Sequence, residues 1–307
     1  MRDSLIHRQS FVAKELMAAY PPKFKHAYKK LVALRTCPDG ADHQGTLELT
    51  RWLALPLPEF LPKTSSLVVE TRPDFFTYDA DETDAWHLNF AHHDLFCAYG
   101  GPLLAQDELQ VLEHPALGAL REALIAQKIT PFTVEGSKPT PVLIRGVERR
   151  AALDTSHLYG NQFARATPEA VLAALTVLSP PTRSNILAME APSSGYGPYT
   201  LRELTFILTT AYTGFSAVYS EGGATIHTGF WGCGAYGGNR TVMTALQLLA
   251  ARLAGVPKLV LHTGDVSSRT IVETAQELLK RLETPLLADL LATLRLQDFR
   301  WGVSDGN

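Results

Sequence analysis

The sequence has few cysteines, no long apolar run and no excess of either charge, and each shortage excludes a class of protein. No window approaches the roughly 18 uninterrupted apolar residues that a membrane helix needs, so a membrane partner is not expected. The three cysteines, Cys37, Cys97 and Cys233, are an odd number without CxxC spacing. That argues against a disulfide framework or a zinc ribbon and fits a reducing compartment. Charges run through the first fifteen residues, leaving no room for the apolar stretch of a signal peptide. A cytoplasmic location is the expectation, and a route of export that reads no cleavable signal is compatible with the same features. With 28 Lys and Arg against 31 Asp and Glu, the net charge of −3 offers no broad attraction to phosphate backbones. Nucleic acid is therefore not an expected partner, and an anionic ligand would need a local site.

What is present is an ordinary globular composition, 46% hydrophobic over 307 residues, without internal repeats or low-complexity tracts. Residues 1 to about 35 carry apolar positions at helical spacing broken at Pro21-Pro22, which predicts two accessory helices. Residues 37–63 are rich in Pro and turn residues, with a short helical run expected at TLELTRWLAL. From residue 65 onward, β-rich runs (SLVVETR, AWHLNFA, PVLIRGV, AALDTS, ATIHTGF, KLVLHTG) alternate with helical patterns. The helical ones are DELQVLEHPALGALREALIAQ, TPEAVLAALTVL, LRELTFILTTAYTGF, NRTVMTALQLLAARLAGV and the stretch from SRTIVETAQ to LLATLRL. This alternation predicts an α/β fold with helices on both faces of a sheet.

The sharpest local feature is the run from His227 to Asn239, with five glycines in thirteen residues between a β-like run and a helix. Glycines let the backbone take positive φ and approach a ligand closely, and a helix N-terminus offers unpaired N–H groups to an anion. A diphosphate is the expected guest. A nicotinamide-dependent oxidoreductase is a poor match, because no acidic residue follows about twenty positions later at the end of a next strand.

The wording of this loop resembles the TGxWGCGxFGGD segment of poly(ADP-ribose) glycohydrolases. The matching residues are Thr228, Gly229, Trp231, Gly232, Cys233, Gly234, Tyr236, Gly237 and Gly238, with Tyr236 in place of Phe and Asn239 in place of Asp. Upstream, Leu201-Arg-Glu-Leu204, Ala211-Tyr-Thr-Gly-Phe215 and Arg149-Arg-Ala-Ala-Leu-Asp154 resemble further pieces of the same family, in the same order. The resemblance covers about residues 85 to 265. It implies a macrodomain-like three-layer α/β/α sandwich with a mixed sheet over residues 65–307, an insertion near 165–199, and residues 1–64 as an N-terminal helical, wrapping extension. It further implies ADP-ribose or an ADP-ribosylated protein as partner, with the glycine loop, Ala235 included, around the diphosphate and Phe215 available to the pocket. No cofactor is implied.

A second segment, Trp86 to Leu109, resembles the signature in which a strand leads to a glycine loop and then Gln-Glu-Glu. Gln106, Asp107 and Glu108 take those three positions, and the resemblance makes Glu108 the catalytic acid. Cleaving a ribosyl bond passes through an oxocarbenium-like state and needs a proton on the leaving atom and an activated water. One carboxyl group can serve both, provided burial or the neighbouring Asp107 raises its pKa. Acids are also common in first helical turns, where the macrodipole favours them. Phe96, Cys97 and Ala98 stand where the family has glycines, so the ribose-side loop must take another path, with flexibility from Gly100 and Gly101. His92 replaces the family's ribose-contacting Asn and is followed by His93 and Asp94.

The segment that offers a tyrosine over the substrate is shortened here. The stacking Phe of the family's FTFGD element is absent from Leu261-His-Thr-Gly-Asp265. These departures favour release of single ADP-ribose units from protein side chains, arginine-linked ones included, with Asp94 beside the acid pair to hold a guanidinium leaving group. Cleavage of ribose-ribose bonds and non-catalytic ADP-ribose binding are the alternatives. No metal is expected, since His92, His93 and Cys97 do not form a zinc signature and no fourth ligand is apparent. Cys233 is read as a small packing residue beneath the loop.

Overall fold

The computed structural model describes residues 2–38, 43–64, 66–79, 82–192 and 195–306. Ser65, where the second segment was expected to begin, and Ser193 and Ser194 in the expected insertion lie outside the described residues. The chain begins with β1 (Leu5–Val12), α1 (Ala13–Ala19), α2 (Ala27–Thr36), β2 (Thr46–Trp52), β3 (Val68–Arg72) and β4 (Ala85–Phe90). It continues through α3 (Gln106–Glu113), α4 (Pro115–Ala126), the small hairpin β5 (Val134–Glu135) and β6 (Lys138–Pro139), then β7 (Val142–Leu153) and α5 (Pro168–Ala174). The remainder is β8 (Leu175–Met189), α6 (Leu201–Ser220), β9 (Thr225–Gly229), α7 (Arg240–Ala254), β10 (Lys258–His262), α8 (Arg269–Arg281) and α9 (Leu287–Arg295). Among the described residues no helix is long and apolar enough to cross a membrane.

Eight strands form one mixed sheet in the order β1-β2-β7-β8-β4-β9-β10-β3. The first four are joined antiparallel, whereas β8, β4, β9, β10 and β3 run parallel. Alternation along each strand divides the core in two. Leu143, Leu187, Met189, Leu88, Ile226 and Leu259 pack under α6, α7, α8 and α9. Ile144, Ile186, Ala188, Leu47 and Leu49 pack under α1, α3 and α4 on the other face. The result is the expected three-layer sandwich.

Local chemistry explains most element ends. Thr200 and Glu203 cap α6 reciprocally, each side chain accepting the other's backbone N–H at 3.2 and 2.7 Å. Gly255, in the left-handed region at φ 72°, stops α7. Pro115 opens α4 and separates it from α3, splitting what reads as one helical run.

Three expectations are corrected. The first seven residues of TLELTRWLAL form strand β2, because Leu47 and Leu49 repeat with period two and both point into one core. The first 64 residues are not only helical: β1 and β2 extend the main sheet from one edge. The stretch expected as an insertion at 165–199 supplies β8, the strand between β7 and β4 in mid-sheet. Its helical pattern ends after Ala174, where Leu175, Thr176 and Val177 pair with Leu153, Ala152 and Ala151.

Candidate functional site

A cavity of about 630 Å³ opens beyond the C-terminal ends of the parallel strands, where open α/β sheets bind ligands. Its walls bring together the two segments singled out in the sequence. His92, Gln106, Asp107 and Glu108 line it together with Gly229, Trp231, Gly232, Gly234, Ala235 and Tyr236.

The first turn of α3 carries the acids. Gln106 ties that turn to β4: its Oε1 accepts the Phe90 N–H at 2.7 Å and its Nε2 donates to the Leu88 carbonyl at 3.0 Å. Both ends of this amide are consumed by backbone, so its part in the site is to hold the acids. Asp107 and Glu108 are buried, at 7% and 4% exposure, on the cavity wall. Asn89 Nδ2 donates to Asp107 Oδ1 at 3.1 Å, and Glu108 Oε2 accepts the Ala105 N–H at 3.1 Å. Burial raises both pKa values, and the charge of Glu108 raises Asp107 further. A buried cation offsets part of this. Lys29 of α2 donates to the Tyr99 and Leu103 carbonyls at 2.9 and 2.6 Å, and its charge favours ionisation of both acids. Burial brings Lys29 itself down to about 8.

Asp107 therefore opposes folding where it must ionise. Its folded pKa lies above the unfolded one, so its contribution is most favourable below the ordinary carboxylate range and is lost as pH rises through the raised value. Asp107→Asn keeps an Oδ1 acceptor for Asn89. It should raise stability by on the order of 2 kcal/mol at pH 8 and by little at pH 4, as chemical denaturation at the two pH values would measure. An equal effect at both would separate the change from ionisation.

The glycine loop leaves backbone donors unpaired at the cavity. The amides of Gly232, Gly234, Ala235 and Tyr236 make no hydrogen bond within the described residues. Unsatisfied backbone donors of this kind can hold an anion. Gly232 (φ 74°) allows the close approach, since a Cβ there would lie 2.5 Å from the Ala191 Cβ. The helix end contributes differently from expectation. Asn239 Oδ1 accepts the Thr241 and Val242 N–H groups at 3.1 and 3.2 Å, so the α7 terminus is already capped. Positive charge comes instead from Arg240, which lines the cavity with its guanidinium 4.8 Å over the Phe230 ring.

Several expected site residues do not line the cavity. Asp94 makes a two-pronged pair with Arg121, at 2.6 and 3.0 Å, and is not part of the acid group. Gly100 backs onto the N-terminal segment, its carbonyl accepting the Lys25 and His26 N–H groups at 2.9 Å; Gly101 closes a turn onto the Ala98 carbonyl. The role of Gly100 is thus close packing of the extension against the loop before the acids. Phe215 is fully buried among the α6 core residues. Thr228 points to the opposite face of β9 from its neighbour Gly229 and donates to Gln247 at 2.6 Å. Gly237 and Gly238 lie behind the loop, where Gly237 accepts the Gly302 N–H at 2.7 Å and Gly238 donates to Gly232 at 2.9 Å. Cys233 does not line the cavity either; burial pushes its thiol up to about 12, which suits packing rather than nucleophilic chemistry.

The substituted loop keeps a glycine-like turn. Phe96 holds φ 56° with its ring fully buried, so core packing sustains a conformation costly for a bulky residue. Tyr159, after β7, lines the cavity and stacks on Phe75 with ring centres 5.7 Å apart, so a tyrosine is present despite the short connection. Phe75 and Phe76 bring aromatic rings to the end where Leu261–Asp265 lacks one. Arg149 also lines the cavity, over the Tyr78 ring at 4.2 Å and paired with Glu113 at 2.8 Å. Lys29, Asn89, Arg149, Tyr159, Phe75 and Arg240 were not named as site residues in the sequence. Arg149 and Asn89 lie in segments that resemble the family and Arg240 adjoins the glycine run, whereas Lys29, Tyr159 and Phe75 had no local signal.

Fold and cavity together define an α/β/α sandwich whose cavity is lined by a glycine loop with unpaired amides and by a buried acid pair. Residues 136–269 match the family model described as poly(ADP-ribose) glycohydrolase (PARG), macro domain fold. That stretch, which runs from just before β6 to the start of α8, is similar to the macro domain of that family. Among solved structures it is similar to the poly(ADP-ribose) glycohydrolase of Thermomonospora curvata bound to the inhibitor ADP-HPD, at 15% identity and a TM-score of 0.47, over 67% of this chain and 78% of that one. It is likewise similar to the Deinococcus radiodurans enzyme in complex with ADP-ribose, at 12% identity and a TM-score of 0.46, over 90% of this chain and 96% of that one. No curated protein matches the chain.

Proposed function

We propose that the protein is a glycosidase-type hydrolase that releases ADP-ribose from modified protein side chains, with Glu108 as acid and base and Asp107 beside it. The observation carrying this reading is that the two buried, pKa-raised carboxyls and four unpaired amides line the same cavity. These amides and Arg240 would take the diphosphate, which leaves the sugar to reach the acids. Glu108 in its protonated form would donate to the leaving atom and then, as carboxylate, accept a proton from the attacking water. Burial of both carboxyls would favour a retained proton on the pair.

The leaving group is the finer part of the proposal. Pairing of Asp94 with Arg121 removes the carboxylate first assigned to an arginine leaving group, so arginine selectivity would rest on the carboxylates that line the cavity, Asp107 and Glu108 among them. Tyr159 in the wall keeps cleavage of ribose-ribose bonds as the second reading. The test is release of ADP-ribose from arginine-linked, serine-linked and polymeric substrates. Turnover of at least one side-chain conjugate with little on the polymer supports the proposal. Preference for the polymer supports the second reading, and tight ADP-ribose binding with no release from any substrate would make the protein a reader.

A further inference from the structure

We infer that His92, His93 and Glu190 form a binding site for a divalent transition metal, most simply Zn²⁺, at the rim of the cavity. The three residues come from adjacent parallel strands. Phe90 of β4 pairs in register with Met189 of β8, so the residues just beyond those two ends emerge side by side. Each of the three offers a ligand atom, and these atoms lie within 4.8 Å of one another. His93 Nδ1 is already 3.6 Å from Glu190 Oε1. A tetrahedral ion with bonds of about 2.0–2.1 Å would need about 3.3 Å between ligands, so side-chain adjustments of an ångström or so suffice.

The two histidines are consecutive, yet their ring centres are 3.9 Å apart, whereas successive side chains of an extended strand point to opposite faces. The turn after β4 has brought two imidazoles together. Cys97 Sγ lies 3.4 Å from His92 Nδ1. A tautomer donating from Nδ1 to that sulfur leaves Nε2 bare for a metal, giving up the long 3.2 Å contact from the Asp94 N–H. The Tyr236 hydroxyl donates to Glu190 Oε1 at 3.1 Å, and Glu190 Oε2 has no hydrogen-bond partner among the described residues. Two imidazoles and one carboxylate suit zinc and its neighbours, whereas Mg²⁺ prefers oxygen ligands and keeps its water. Three protein ligands leave a position open, and the His93 side chain is 52% exposed. The separation of Glu190 in sequence explains why the histidine pair alone gave no metal signature.

This inference does not depend on the hydrolase reading, because its test uses the metal alone. Tag-free, chelator-treated protein is titrated with Zn²⁺ by calorimetry, and bound metal is counted by elemental analysis after dialysis. One ion per chain is expected, with affinity falling at least about tenfold in His93→Ala and in Glu190→Gln, and no displacement by millimolar Mg²⁺. The Co²⁺-loaded protein should have a tetrahedral or five-coordinate visible spectrum without a thiolate charge-transfer band. Absence of stoichiometric binding, unchanged binding in both variants, displacement by Mg²⁺ or a thiolate band would each overturn the assigned site.

Discussion

Glu108→Gln should lower ADP-ribose release by about 10²- to 10⁴-fold while leaving ADP-ribose affinity and the fold essentially unchanged. The substitution removes the transferable proton and the basic oxygen but keeps an Oε1 to accept the Ala105 N–H, so the first turn of α3 remains tied down. Gln106 still clamps that turn to β4, and Asn89 still holds Asp107. A kcat loss without a matching loss of binding is the pattern of a group acting in the transition state. Asp107→Asn should be slower as well, though more stable at pH 8, a combination typical of a site that holds an unfavourable charge for its chemistry. Single-turnover release with both variants, alongside calorimetric ADP-ribose binding, measures this. An unchanged rate in Glu108→Gln would remove Glu108 from the mechanism.

The second large effect is expected at the glycine loop. Gly232→Ala should weaken ADP-ribose binding by about 100-fold, or about 2.7 kcal/mol. Two costs combine there: the new Cβ would lie 2.5 Å from Ala191 Cβ, and the backbone sits at φ 74°. Relief of the overlap must shift Gly232 or Ala191, which moves the four free amides of the loop. Gly222→Ala separates the two costs, since Gly222 has φ 85° but open space around its side. That variant should lose about 1 kcal/mol of stability with ADP-ribose affinity unchanged. Equal affinities for wild type and Gly232→Ala would mean that the ligand does not use the loop.

The parts of this architecture written in local sequence were the parallel strands β3, β4, β9 and β10, the helices α6 and α7, and the glycine loop. Their periods, caps and glycines are contiguous. Strand β8 was illegible because a helical start at Pro168–Ala174 runs straight into it, and pairing with β7 and β4, not local propensity, sets its state. β1 is set by its pairing with β2 in the same way, whereas β2 carries a short period-two repeat, Leu47 and Leu49, inside a run that also fits helical spacing. At the site, Gln106, Asp107 and Glu108 could be singled out from flanking pattern, but their support could not. Lys29 lies far upstream on α2, and its use is known only once the loop of Tyr99 and Leu103 folds over it. Asp94 and Thr228 were misread because sequence adjacency does not reveal direction: one meets Arg121, and the other follows strand alternation away from the cavity.

The most direct test is a crystal structure of Glu108→Gln with ADP-ribose bound. Diphosphate oxygens should lie about 2.7–3.2 Å from the amides of Gly232, Gly234, Ala235 and Tyr236, with the anomeric carbon of the distal ribose facing residue 108. A nucleotide bound outside the cavity, or inside it with the adenine rather than the distal ribose over Asp107 and residue 108, would contradict the assignment.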